Sequence, residues 1–177
     1  MTAREAHLVE LVDSSGAPVG ESTVARAHEA PGLLHRAFSV HLMDGVGRLL
    51  LQRRAARKTR FPGRWANACC GHPGPRAPVG VAAARRLAEE LCVTGVPLAE
   101  IGVYAYRADD PTTGHVECEY DHVLLGRVTD GLAVRPDPAE VDAVRWVTLP
   151  ALRDELAAAP TTFAPWLAGV VALLPDH

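Results

Sequence analysis

The sequence predicts an α+β fold in which helices cover a mixed sheet. Several strand-like segments follow one another, one clear helix lies near the middle of the chain, and two helical segments close it. The 177 residues are 48% hydrophobic and 22% charged, as in an ordinary globular protein. A chain of this length suits one hydrophobic core, so we expect a single domain over residues 1–177.

The first third of the chain reads as strands joined by turns. The segment HLVELVD (7–13) predicts a strand, and the SSGAPVG after it predicts a turn. Residues 36–44 and 48–54 share the turn DGVG and predict a hairpin. The basic segment KTRFPGRW (58–65) is broken by proline and glycine, which favours a loop.

The rest of the chain alternates between helix and strand signals. Alanine, leucine, arginine and glutamate dominate residues 81–93, which predicts the clearest helix of the chain. Three further segments are rich in β-branched and aromatic residues and predict strands: 103–108, 116–128 and 143–149. Pro150 suits the first turn of a helix over 151–159, and the apolar segment 163–174 predicts a last helix.

Charge and hydropathy exclude several classes of protein. A net charge of -3 argues against a nucleic-acid-binding surface. No apolar run reaches the roughly 18 residues that cross a bilayer, so we expect no membrane partner. The opening MTAREAHLVE carries charges where a signal peptide has its apolar region, so we expect a cytoplasmic protein.

The stretch ACCGHP raises the question of which cysteine matters. The four cysteines form no CxxC pair, which argues against a structural zinc site. Neighbouring residues are also too close for an ordinary disulfide, which needs Cα atoms about 5.5 Å apart. In an extended segment Cys70 and His72 share one face and Cys69 takes the other. A cysteine in a cytosolic protein is by default an inert, buried residue.

Glu117 and Glu119 form an E-x-E pair on the strand 116–128. They share a face with Cα atoms about 6.6 Å apart, so they need a cation or a shared proton, and Cys118 turns towards the core. The alternative is a solvated edge strand. His28, His35 and His72 with these carboxylates make a plausible divalent-metal site, although single histidines are more often surface or hydrogen-bonded residues.

Basic residues are concentrated between the hairpin and ACCGHP. They constitute either a solvated loop or a phosphate or diphosphate site, and they are Arg53, Arg54, Arg57, Lys58, Arg60 and Arg64. The helix segment RRLAEELCV contributes Arg86 and Glu90 and has the shape of the second half of a Nudix box, which places carboxylates to hold Mg²⁺ on a diphosphate.

Four segments together carry a specific resemblance. FPGRWANACCGHP, RRLAEEL, YRADDPTTGHVECEYDHV and TFAPW resemble the type I isopentenyl-diphosphate Δ-isomerase family over about residues 7–172. The combination of W-x-N-x-x-C-G-H-P with E-x-E is specific, whereas a lone Nudix-like helix is not. The resemblance implies a Nudix-like mixed sheet sandwiched by helices. It also implies interconversion of isopentenyl and dimethylallyl diphosphate for isoprenoid biosynthesis.

The resemblance also implies roles for individual residues. Cys70 and Glu119 would be the catalytic acid and base, and Glu90 would contact a substrate-bridging Mg²⁺ that the main-chain carbonyl of Cys70 shares. One further divalent ion, Mg²⁺, Mn²⁺ or Zn²⁺, would be held by His28, His35, His72, Glu117 and Glu119. Substrate contacts would come from Arg54, Lys58, Arg86, Tyr106 and Trp166. Neither a flavin nor a nucleotide is implied, and we expect a monomer or weak homodimer.

Two departures from the family pattern stand out. Val24 occupies the place where the family usually has a lysine that contacts the diphosphate, so either Arg26 substitutes or binding is weaker. The Nudix box has Ala77, Arg86 and Cys92 where hydrolases carry two glutamates and a glycine. The alternatives left open are a Nudix-type diphosphate hydrolase and a catalytically silent diphosphate-binding homologue.

Overall fold

A computed structural model describes residues 4–175, and its main element is one nine-stranded sheet. The strands are β1 (Leu8–Val12), β2 (Pro18–Thr23), β3 (His35–Met43), β4 (Arg48–Arg54), β5 (Trp65–Ala66), β6 (Cys69–Gly71), β7 (Leu98–Asp109), β8 (Val116–Arg127) and β9 (Val141–Thr148). The helices are α1 (Val24–Ala27), α2 (Val79–Leu91), α3 (Leu149–Ala158) and α4 (Leu167–Val171), with a 3-10 turn at Pro160–Thr162.

Strand β3 organises the sheet and the site. It pairs antiparallel with β1, β4 and β6 but parallel with β8, so the sheet is mixed as predicted. The predicted hairpin is confirmed, with Met43 opposite Leu49 across β3 and β4. The parallel pairing places His35 directly opposite Glu119, because both strands start at the same edge of the sheet.

Helices cover both faces of the sheet, as the sequence predicted. On one face α2 buries Leu87 and Leu91 against the strand residues Val40, Leu42 and Leu124. On the other face α3 and α4 pack against a second cluster of strand residues that includes Met43, Leu51 and Val123. Successive residues of β3, such as Leu42 and Met43, therefore pack against helices on opposite faces of the sheet. This is the period-two alternation of a strand that is buried on both sides.

The helix predictions hold except at their ends. Helix α2 begins two residues before the predicted start and ends where Cys92 takes a left-handed conformation with φ 54°. The predicted helix over 163–174 is wrong for its first turn, because Pro165 lacks an amide hydrogen and restricts the residue before it. Phe163 instead pairs with Trp65 as an isolated parallel bridge, and the helical part is α4.

The cysteines divide between core and surface. Cys69 is fully buried against the α2 layer, as the strand alternation predicted. Two expectations are wrong: Cys118 is only partly buried, and Cys92 is exposed at the end of α2. Cys118 on β8 pairs with Arg107 on β7. Because β7 is an edge strand, it leaves Cys118 partly open to solvent.

Within residues 4–175, none of the helices is both long and apolar enough to cross a membrane.

Strand β2 was not predicted from the sequence, because its mostly exposed PVGEST segment carries little strand signal. That residues 1–177 form a single domain stays a prediction.

Candidate active site

A cavity of about 640 Å³ opens at the edge of the sheet where β3 and β8 begin. Nine of the predicted site residues line it: Arg54, Lys58, Cys70, His72, Arg86, Tyr106, Glu117, Glu119 and Trp166. His28, His35 and Glu90 are fully buried and do not line the cavity. The structure therefore brings together side chains that the sequence separates by up to 138 positions, from His28 to Trp166.

Three histidine rings converge beside the cavity. His28 follows α1, His35 begins β3 and His72 follows β6, and their ring centroids are 4.7 to 5.0 Å apart. One ligand atom from each ring and one oxygen of Glu119 lie within 4.8 Å of one another. This arrangement confirms that the E-x-E strand is no solvated edge, because both of its glutamates are buried.

Main-chain carbonyls fix the orientation of two of these rings. The Nδ1 of His28 lies 2.7 Å from the oxygen of Val24, and the Nδ1 of His35 lies 2.7 Å from the oxygen of Leu33. A carbonyl only accepts, so each Nδ1 carries a hydrogen. Burial opposes protonation of His28, but the Glu117 carboxylate 2.8 Å from its Nε2 raises its pKa. Among the described residues, the buried His35 Nε2 has no hydrogen-bond partner.

The two glutamates have different environments. Burial opposes ionisation of Glu117, but His28 at 2.8 Å and Arg60 at 3.5 Å hold its pKa well below the usual value. Burial and the Glu117 charge raise the pKa of Glu119 to about 7. Glu119 accepts a hydrogen bond from the Tyr106 hydroxyl at 2.7 Å and lies 2.8 Å from His72 Nε2.

This donor set fits a divalent cation. Neutral imidazoles are required for coordination, and burial lowers the pKa of His35 to about 3 and that of His72 well below its usual value. The pKa of His28 is raised by Glu117, so this ring would lose a proton when a metal ion binds. Imidazole nitrogen and carboxylate oxygen together suit Zn²⁺, Mn²⁺ and Mg²⁺ to differing degrees. The Nε2 of His35 makes no hydrogen bond to a described residue and lies 3.8 Å from Glu119 Oε1, so it is available as a ligand atom.

Cys70 approaches the cavity from β6, on the opposite face from Cys69. Its thiol donates to Asn67 Oδ1 at 3.2 Å, and its sulfur lies 3.6 Å from Ser39 Oγ, which itself donates to Asp121 at 2.6 Å. Burial, reinforced by the nearby Asp121 carboxyl, raises the pKa of Cys70 to about 12. The thiol is therefore protonated at neutral pH.

Aromatic rings form the wall next to Cys70 and Glu119. The Tyr106 ring stacks on Tyr104 with centroids 5.6 Å apart, and Trp166 lies 6.0 Å from Tyr106. Phe61 meets Trp166 edge-on at 5.6 Å. The Arg54 guanidinium carbon lies 5.4 Å from the centre of the Trp166 ring, so one face of the indole already contacts a cation.

Cations and carboxylates alternate at the polar end of the cavity. Lys58 lies 3.3 Å from Glu90 and contacts Glu140 more closely. Arg86 lies 3.2 Å from Glu140 and contacts Glu90 more closely. Arg54 donates to the carbonyl oxygens of Arg60 and Phe61, which fixes the basic loop. Arg26 is exposed and is not among the residues that line the cavity.

Sequence reasoning missed four residues that the structure places at this site: Ser39, Asn67, Asp121 and Glu140. Asn67 is the asparagine of the W-x-N-x-x-C motif, for which the sequence alone predicted no role. Ser39 lies on β3 four residues after His35, so the strand period would have placed both on one face. Glu140 carried no signal, because only the fold brings it to Lys58 and Arg86.

Known proteins resemble this chain in sequence and in fold. Residues 33–168 match the NUDIX domain family. A protein from Nocardia farcinica named isopentenyl-diphosphate Delta-isomerase is 57% identical over 93% of both chains. Another of that name from Streptomyces griseus is 47% identical over 94% of this chain and 83% of its own.

Solved structures show the same fold at low sequence identity. One from Deinococcus radiodurans has a TM-score of 0.76 at 18% identity and covers 96% of this chain and 100% of its own. A MutT NUDIX hydrolase from Burkholderia pseudomallei has a TM-score of 0.61 at 20% identity, covering 80% and 98%. Taken with the matches in sequence, they show that the chain belongs to the isopentenyl-diphosphate Delta-isomerase family of the Nudix superfamily.

Proposed function

We propose that this protein is an isomerase that interconverts isopentenyl diphosphate and dimethylallyl diphosphate for isoprenoid biosynthesis. The observation that carries the proposal is the meeting of Cys70 and Glu119 in one cavity, walled by aromatic rings and lined at one end by cations. The reaction adds a proton on one side of a double bond and removes one from the other, so it needs two proton-transferring groups.

Each group around the cavity answers one requirement of that chemistry. Protonation of an unactivated alkene creates a tertiary carbocation, which must be kept from water and stabilised. Trp166 lines the cavity, and the face of an indole ring stabilises a cationic carbon. Glu119 lines the cavity and accepts a hydrogen bond from the Tyr106 hydroxyl, so it is placed to give or take one of the protons. Cys70 would exchange the other proton, and the reverse reaction uses the same two groups.

The metal group supports Glu119 in this scheme. We propose that His28, His35, His72, Glu117 and Glu119 hold a divalent ion, which would supply a Lewis-acidic anchor for the Glu119 carboxyl. Tyr106 donates its hydroxyl hydrogen to Glu119 Oε2 and thereby fixes the orientation of the carboxyl group. His28 and His35 are themselves held by main-chain carbonyls, so the carboxylate is supported from both sides.

The polar end of the cavity suits a diphosphate. We propose that Arg54, Lys58 and Arg86 contact it and that Mg²⁺ accompanies it, with Glu90 and the Cys70 carbonyl as protein ligands. Glu90 is fully buried and is contacted by Lys58, Arg86 and Gln52. Lys58 and Arg86 therefore already lie around the carboxylate that we propose as a ligand of Mg²⁺.

The proposal extends to the compartment. The four free cysteines, including the adjacent Cys69 and Cys70, are consistent with the cytoplasm, where thiols stay reduced.

The decisive experiment follows deuterium into the product. The purified protein is incubated with isopentenyl diphosphate and Mg²⁺ in deuterated water, and dimethylallyl diphosphate and its deuterium content are measured. We expect conversion with deuterium uptake. Absence of conversion would overturn the isomerase assignment, and release of phosphate or a monophosphate would indicate a Nudix hydrolase instead.

A further inference from the structure

Asn67 lies between β5 and β6 and is completely buried. Its side-chain amide makes four hydrogen bonds, two as donor and two as acceptor. A primary amide has two hydrogens to donate and two lone pairs to accept with, so the bonding capacity of this side chain is filled.

The donor half of the amide is anchored to the sheet. Its Nδ2 donates to the carbonyl oxygen of Val40 at 3.1 Å and to that of Cys69 at 2.8 Å. Val40 belongs to β3 and Cys69 to β6, which pair with each other. The amide plane is consequently fixed to the two strands that carry Ser39 and Cys70.

The acceptor half faces the reaction site. Its Oδ1 accepts from the Cys70 thiol at 3.2 Å and from the Trp166 indole nitrogen at 3.1 Å. Rotating the amide by half a turn would set its N–H group against the thiol and indole donors, and its oxygen against two carbonyls. The observed orientation therefore has no competitor of similar energy.

We propose that Asn67 is a positioning residue for the isomerisation, because its one oxygen fixes both the Cys70 thiol and the Trp166 indole. The inference rests on the proposed function. Cys70 and Trp166 come from segments 96 residues apart and serve different roles, proton transfer and cation stabilisation. A shared acceptor fixes the separation of the two groups across the reacting carbons, where a misplacement of about 1 Å costs up to ~100-fold in rate.

A purely structural asparagine would behave differently. The bonds to Val40 and Cys69 stabilise the fold and do not involve the substrate. The bonds to Cys70 and Trp166 hold groups that face the cavity, so their loss should change kcat more than KM. The proposed diphosphate contacts Arg54, Lys58 and Arg86 make no hydrogen bond with Asn67 among those described.

The test compares Asn67→Ala and Asn67→Ser with the wild-type protein in the deuterium assay. We expect kcat to fall by about 10- to 100-fold while KM stays within about threefold. Trp166→Phe removes the indole donor, so combining it with Asn67→Ala should cost less than the product of the two single losses. Thermal unfolding and circular dichroism establish that each variant is folded.

A second measurement observes the contact itself. The indole N–H signal of Trp166, assigned with Trp166→Phe, should exchange slowly in the wild-type protein and faster in the Asn67 variants. The indole signal of Trp146 should not change. Unchanged kcat, unchanged Trp166 exchange, multiplicative losses in the double variant, or failure of both Asn67 variants to fold would each overturn the positioning role. An inactive wild-type protein would instead overturn the proposed function.

Discussion

His35 and Glu119 lie directly opposite each other on the parallel strands β3 and β8. Their side chains meet at 3.8 Å between Nε2 and Oε1, so the register of the sheet itself sets the distance between two members of the metal group. Shifting the register of either strand by one residue would separate the two side chains, because side chains alternate faces along a strand. The metal group is thus built on the most extensive parallel pairing of the fold.

Removing His35 should weaken metal binding without unfolding the sheet. His35→Ala deletes the imidazole of the metal group whose Nε2 has no hydrogen-bond partner among the described residues, so we expect affinity for Zn²⁺ or Mn²⁺ to fall at least ~10-fold. Calorimetric titration of the metal-stripped protein measures this. His122→Ala is the control, since His122 lies on β8 and contacts Glu100 rather than the metal group. Equal affinity in wild type and His35→Ala would refute the ligand assignment.

The two adjacent cysteines should respond oppositely to substitution. Cys70→Ala removes a proposed proton-transfer group, so we expect kcat to fall by about 100-fold or more. Cys69→Ala removes a sulfur from the α2 layer and should cost about 1 kcal/mol of stability while leaving kcat nearly unchanged. The comparison is made by isomerase assay and urea unfolding. Similar losses of activity in both variants would contradict the division of the strand into two faces.

A lysine at position 24 should tighten substrate binding. Val24 lines the cavity, as do His7 and Arg60, whereas Arg26 is exposed and does not line it. We therefore expect Val24→Lys to lower KM by up to about tenfold, through one added cation near the diphosphate. Arg26→Ala, the control, should leave KM unchanged. A higher KM in Arg26→Ala would show that the exposed arginine already supplies this charge.

His41 should make the fold sensitive to mild acid. Burial alone lowers the pKa of His41 from 6.5 to about 4, and neither ring nitrogen has a described hydrogen-bond partner. Between pH 6.5 and 4 the unfolded chain binds more protons than the folded one, so stability is retained above this window and falls as the pH drops through it. The loss from this residue approaches about 3 kcal/mol at the lower end.

His41→Leu provides the test of that acid sensitivity. Leucine cannot take up a proton, so the free energy of unfolding of this variant should fall less between pH 7 and pH 4.5 than that of the wild type. Urea unfolding at both pH values measures the difference. Parallel losses in the two proteins would place the acid-sensitive group elsewhere.

Local sequence patterns predicted those features of the fold that depend on residues adjacent in the chain. Alternation along β6 and β8 placed Cys70 opposite to Cys69 and Glu117 beside Glu119, because side-chain direction in a strand is a local property. The end of α2 and the shortened last helix were predicted less well, since a left-handed Cys92 and a bridge to Trp65 depend on packing. The exposure of Cys118 likewise depends on where β8 lies relative to the edge strand β7.

Contacts between distant segments were beyond these patterns. The meeting of Glu140 with Lys58 and Arg86 depends on the pairing of β4 with β9, which brings the residue before β9 to the basic loop. The roles of Asn67 and Ser39 depend on β3 pairing with β6. The residue types that carry chemistry were visible in the sequence, whereas the residues that hold them in place became visible only in the fold.

The bridge between Trp65 and Phe163 has a consequence for synthesis of the chain. Trp166 follows this bridge by three residues, whereas the histidines and glutamates of the metal group all lie within residues 28–119. A nascent or truncated chain lacking residues after 162 would carry every metal ligand but no indole wall. During synthesis the residues of the metal group are therefore all present before the indole that would shelter a carbocation from water.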